Sequence, residues 1–202
     1  MSIYRKYRRN VNVKKVAIAT SILVSGLVYT APSPDFAKVE EQLVKNDNYS
    51  GHFIQSRKIQ GLDKPILASG EFELPKKKGL EWNQEKPFKS SLKATKDTIT
   101  IKTADSPKYV FGEEDSPMVF SFTKIFLSIL EGDSKVIYDN FNTKFSGTTN
   151  NWTLVLTPKT ELLSKALKEV TLKGGETITY VEVVDAQNNV MDIQFSDIEI
   201  DS

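Results

Sequence analysis

The side chains able to do chemistry are few. His52 is the only histidine in 202 residues, and there is no cysteine. It sits in "SGHFIQSRKI" (50–59), alternating with Phe53, as a surface histidine on a strand would. No Gly-x-Ser-x-Gly elbow accompanies it, so a nucleophile–base pair is not in sight and an enzyme is not expected. Without a His/Cys cluster or an Asp-rich loop no metal site is expected, and no cofactor is implied. Glu113, Glu114 and Asp115 in "FGEEDSP" read as a solvated acidic loop, and "LKGGET" (172–177) reads as a glycine turn, not a phosphate cradle. What remains is binding chemistry: apolar aromatic side chains at strand spacing and a run of three lysines, Lys76, Lys77 and Lys78.

Both occur in "GEFELPKKKGLEWNQEKPF" (70–88), where apolar and polar residues alternate on either side of the lysine corner. Period-two alternation around such a corner predicts two half-buried strands joined by a tight, exposed connection. Phe72, Leu74, Leu80 and Trp82 then share faces that need an apolar partner, either the protein's own core or a greasy ligand.

The rest of the chain supplies the frame. Arg5, Lys6, Arg8, Arg9, Lys14 and Lys15 precede the apolar run "VAIATSILVSGLV" at 16–28, and the first acidic residue is Asp35. A basic flank before an apolar run too short to span a bilayer comfortably predicts a secretory signal over 1–31, with a mature domain over 32–202. Removing those six cations from 27 basic residues leaves 21 against 26 acidic ones. A mildly acidic secreted domain lacks the basic face that nucleic acid requires, so no nucleic-acid partner is expected. Stability must come from the core alone, without disulfides, and a monomer is expected.

"SPDFAKVEEQLVKNDN" (33–48) predicts an amphipathic helix with Phe36, Val39, Leu43 and Val44 on one face. Strands follow at 50–59, 65–74, 79–88, 90–97 and 98–103, each paired with the next. After a break at 105–117, "MVFSFTKIFLSILEGD" (118–133) predicts a helix apolar around most of its girth: Phe122, Ile125, Phe126 and Ile129 on one stripe, Phe120, Leu127 and Leu130 opposite. Strands resume at 138–147, 150–159, 167–175, 178–189 and 190–200, with a helical turn in "KTELLSKAL" and a hairpin at "AQNN" (186–189). The expected fold is mainly β with α, roughly ten antiparallel strands in one sheet that curls around the apolar helix.

In order, these segments resemble the outer-membrane lipoprotein carrier family (LolA-like). "FIQ" (53–55) is similar to its Phe-x-Gln on the first strand. "GEFELPKKKGLEWNQEKP" is similar to its basic corner, aromatic-Trp strand and Pro five residues past the Trp. "WTLVLTPK" (152–159) matches Trp-x-Leu-x-Leu-x-Pro-Lys, and "NNVMDIQFSDIEI" (188–200) resembles its closing strand. The resemblance implies an incomplete, half-open β-barrel with a helical lid in its concavity. It implies a periplasmic carrier that takes acylated lipoprotein or lipid cargo from an inner-membrane transporter and passes it to an outer-membrane acceptor lipoprotein. The cavity residues expected are Phe53, Phe72, Leu74, Trp82, Phe122, Phe126, Ile129, Trp152 and Leu154, with Lys76, Lys77 and Lys78 as lid or partner contacts. Lys76 stands where the classical carriers have an arginine tying the lid shut, and lysine is a point charge without a guanidinium fork. The chain also ends at Ser202 without their extra C-terminal segment, which marks a divergent branch. The alternative reading is a periplasmic module on the same fold that senses lipids or lipoproteins without moving them.

Overall fold

Alternation in the strands sets the architecture of the computed structural model, which describes residues 34–45, 48–75, 78–95, 98–103, 107–112, 114–115, 117, 120, 123–125, 127–128 and 133–201. In β2 (Ile66–Pro75), Ala68, Gly70, Phe72 and Leu74 are buried while Glu71 and Glu73 face outward. In β8 (Asn151–Pro158), Trp152, Leu154 and Leu156 are buried on the same principle. The other strands are β1 (Asn48–Lys58), β3 (Leu80–Lys86), β4 (Ser90–Ala94), β5 (Ile99–Thr103), β6 (Tyr109–Phe111), β7 (Phe141–Thr148), β9 (Leu167–Gly174), β10 (Ile178–Asp185) and β11 (Val190–Asp201). All eleven form one antiparallel sheet in the order β6-β5-β4-β3-β2-β1-β11-β10-β9-β8-β7. The sheet is curved and open, so its two edges do not meet.

The sheet has eleven strands where roughly ten are expected. The additional one, β6, lies in the break at 105–117, paired with β5 from Ile99↔Phe111 to Ile101↔Tyr109. The helix expected over 33–48 spans Pro34–Val44 (α1). A second helix, α2 (Ser134–Asn140), takes the first residues of the strand expected at 138–147, which begins at Phe141. The predicted helical turn is α3 (Glu161–Ser164), capped by the Thr160 hydroxyl, which accepts from Leu163 N. The "AQNN" hairpin joins β10 to β11, with Asn188 at φ 61° and Asp185 accepting from Asn189 N at 2.8 Å.

This order explains where the apolar helix goes. β6 and β7, consecutive strands, are the two opposite edges of the sheet, so their connection must cross from one edge to the other. Within it Phe120, Thr123, Ile125, Leu127 and Ser128 are helical and buried. Phe120, Ile125 and Leu127 belong to the same core as the inward residues of β1, β2 and β8–β11. Helical residues on the concave side therefore cover a face that would otherwise lie open to water. Each large side chain so buried contributes roughly 1.5–3 kcal/mol.

Candidate functional site

The inward face carries two aromatic groups. One lies on β1, β2, β3 and β11. Phe53 stacks on Trp82 with centroids 3.7 Å apart and planes inclined by 26°. Phe72 meets Phe195 edge-on at 4.9 Å, and Trp82 meets Phe195 edge-on at 6.1 Å. Phe53, Phe72 and Phe195 are buried, whereas Trp82 is half-buried and packs against the core from its margin. Register places Trp82 in a row with Phe72, Leu92 and Ile101 across β2 to β5, so the apolar surface continues toward the β6 edge.

The other group is anchored by α1. Phe36 lies 5.6 Å from Phe145 and 5.9 Å from Tyr138. Trp152 is fully buried, and its indole N–H donates to the Gly175 carbonyl at 2.9 Å, which also accepts from Gln42 Nε2 at 2.8 Å. Leu154 is fully buried in the next inward position of β8. This group is tied down by hydrogen bonds from two elements, and the Trp82 group is joined by ring packing.

Beside the Trp82 group is a cavity of about 10 Å³, lined by Tyr49, Phe72, Leu74, Thr177, Ile178, Phe195 and Ile198. That is room for about one water-sized group. Of the expected cavity residues, Phe72 and Leu74 line it, Phe53 and Trp82 adjoin it through the ring cluster, and Trp152 and Leu154 sit with the α1 group. Phe122, Phe126 and Ile129 lie outside the described residues, as do Lys76 and Lys77. Lys78 is exposed in the β2–β3 corner, where its N–H donates to the Pro75 carbonyl and Gly79 adopts φ 85°. Tyr49, Ile178 and Phe195 were not among the expected site residues. Phe195 alternates with buried Ile193 in "MDIQFSDI", which is the signal that would have found it.

The binding chemistry offered is apolar. His52 is exposed on the outward face, across from Glu71 and Ser196. Among the described residues no three His, Asp or Glu side chains gather to hold a metal. Among the described residues the one perturbed carboxylate near the core is Glu40 on α1, raised to about 7 by burial against a lowering hydrogen bond from Ser134. Burial and the charge of Glu40 push the neighbouring Tyr138 phenol upward as well.

The sequence family described as "outer membrane lipoprotein carrier protein LolA-like" matches residues 29–195. The chain belongs to that family. It is a family of binding and carrier proteins. No curated protein matches the chain at a significant level. Among solved structures this LolA-like chain is similar to a DUF1329 family protein from Desulfovibrio piger (13% identity, TM-score 0.46, 83% of this chain and 91% of that one). It is likewise similar to a LolA superfamily protein from Nitrosomonas europaea (8% identity, TM-score 0.45, 82% and 93%). A third is an outer membrane lipoprotein-sorting protein domain from Vibrio parahaemolyticus (8% identity, TM-score 0.46, 82% and 90%). No helix among the described residues is long and apolar enough to cross a membrane.

Proposed function

We propose that this LolA-like chain is a periplasmic carrier, not an enzyme. In this reading it shields the acyl chains of a lipoprotein or related lipid, received from an inner-membrane transporter and delivered to an outer-membrane acceptor. The observation that carries the reading is the half-buried Trp82, stacked on buried Phe53 at the open side of the inward face. An acyl chain of some sixteen carbons exposes surface costing roughly 10 kcal/mol at about 0.8 per CH₂. A soluble carrier must cover that surface and later release it. Such a chain needs far more room than the cavity of about 10 Å³ beside the ring cluster, and in this reading the edge-to-edge helical crossover is the lid that moves to admit it. The helix provides apolar surface that cargo replaces, which keeps the empty protein folded.

Mass spectrometry of lipid co-purifying with the protein from a bacterial periplasm tests this. Acyl-bearing cargo in near-stoichiometric amount is expected. Absence of lipid, together with fatty-acid binding no better than to an unrelated protein, would remove the carrier reading.

A further inference from the structure

One end of the sheet presents large apolar side chains to water. Ile54, Leu62, Ile66, Leu67 and Phe88 are 58%, 55%, 48%, 58% and 64% exposed, and they are five of the eight large apolar residues exposed among those described. Single exposed apolar residues are ordinary, but a cluster of them marks a contact surface. Register brings these together. Arg57↔Ile66 and Ser56↔Leu67 close the β1–β2 hairpin, and Ser69↔Lys86 places the β3–β4 connection, with Phe88, beside that hairpin's tip. Both tips are shaped by their own hydrogen bonds. Leu62 N donates to the Ile59 carbonyl around Gly61 at φ 86°, and Gln60 N donates to Asn189 Oδ1 at 2.9 Å. Gln84 Nε2 reaches the Phe88 carbonyl at 3.0 Å, closing the second loop with the Phe88 ring outside it.

These two tips are basic. Arg57, Lys58, Lys64, Lys86 and Lys89 stand on them against Asp63 and Glu85, while the adjoining β10–β11 turn brings Lys168, Asp185 and, on β11 across from Ser56, Asp192. None of those five cations is in an ion pair among the described residues. This excess of positive charge lies on a domain whose residues 32–202 carry more acid than base, 26 against 21. Apolar tips among unpaired cations are what a surface needs to enter the headgroup region of an anionic bilayer: the apolar side chains reach the acyl boundary while the charged heads meet lipid phosphates.

We propose that the β1–β2 and β3–β4 tips form a docking edge for an anionic phospholipid bilayer. It lies at the opposite end of the strands from the lysine corner at 76–78, and it is independent of what the inward face binds.

Because the chain has no cysteine, Leu62→Cys can carry a single polarity-sensitive fluorophore in the full-length protein, with Ser146→Cys on β7 as the control position. Vesicles of phosphatidylglycerol and phosphatidylethanolamine should shift the label at 62 to the blue, and nitroxide-bearing lipid should quench it. The label at 146 should remain aqueous, and pure phosphatidylcholine vesicles should leave both unchanged. In the Leu62→Cys background, Phe88→Asp or the pair Lys86→Glu and Lys89→Glu should raise the lipid concentration needed for half the shift by tenfold or more. The altered residues are exposed, and an unchanged circular dichroism spectrum verifies that folding is kept. An aqueous signal at 62, equal behaviour at 62 and 146 (binding through the N-terminal segment alone), or indifference to the substitutions overturns the proposal.

Discussion

Phe53 and Trp82 stack 3.7 Å apart although β2 lies between their strands. The β2 residue opposite Phe53 is Gly70, so no side chain stands between the rings. The arrangement repeats one strand over: Phe72 lies opposite Gly51 on β1 and reaches Phe195 on β11. Two glycines thus let four aromatic rings make contact across four strands, and the edge-on pairs that Phe195 makes with Phe72 and Trp82 are worth about 0.5–1.5 kcal/mol each beyond their burial.

Gly70 is also pinned by its own neighbours. A Cβ there would lie 2.0 Å from the Asn83 carbonyl oxygen, in backbone that cannot swing aside. Gly70→Ala is expected to lower stability by about 1–3 kcal/mol and to loosen the Phe53–Trp82 stack. Urea unfolding and near-ultraviolet circular dichroism measure the two effects, and wild-type values in both would contradict this account.

The two tryptophans should report differently on cargo. A bromine-bearing fatty acid quenches on contact. Trp82 borders the open inward face, whereas Trp152 is buried and tied to Gly175. Quenching is expected to persist in Trp152→Phe and to vanish in Trp82→Phe, with binding itself, followed by calorimetry, retained in both.

The crossover helix offers a comparison of neighbours. Ile125 is 2% exposed in the core, so Ile125→Asp leaves an uncompensated buried charge and should lower stability by several kcal/mol. Phe126 is proposed to face cargo even though Ile125, on the same sequence stripe, packs in the core. Phe126→Asp should then melt near the wild-type temperature while losing fatty-acid affinity, because a cavity-facing site can hydrate. Collapse of the melting temperature in both variants would make the helix fixed core and not a lid.

Stability should fall from acid toward alkaline pH through one carboxyl. Glu40 is raised from 4.5 to about 7 in the folded protein, so the folded state holds a proton that the unfolded chain releases. Its favourable contribution is complete below about 4.5 and is lost as pH rises to about 7. The melting temperature should decline between pH 5 and 8, and Glu40→Gln should flatten that decline. An equal slope in the variant would assign the effect elsewhere.

The sequence makes individual strands legible and leaves their order hidden. Phe72, Leu74, Trp152, Leu154 and Leu156 announce inward faces because alternation is local. β6 escapes notice because three residues, Tyr109 to Phe111, sit among Pro, Asp and Gly, and Tyr109 and Val110 are exposed at an edge with no alternation to display. The last residues of α2, Tyr138 to Asn140, are read as strand because they run directly into "FNTKFSG", whereas packing of Ile137 into the core holds them in the helix. The ring cluster is half-legible. Phe53, Phe72 and Trp82 stand out, but their contact with Phe195 depends on β1 pairing with β11, which no local pattern encodes.

That pairing has a consequence for how the molecule is made. The first strand and the last meet in the middle of the sheet, with five further strands fanned out beside β1 and four beside β11. Until β11 emerges, β1 and β10 each present a bare edge, and neither fan has the partner that completes its core. Closure of this seam spans nearly the entire domain, so its entropic cost is met only once β11 is available, which makes assembly slow. A chain exported by the proposed route must be threaded through a channel before it folds. A topology whose keystone is the domain's last strand delays collapse until that strand has passed through.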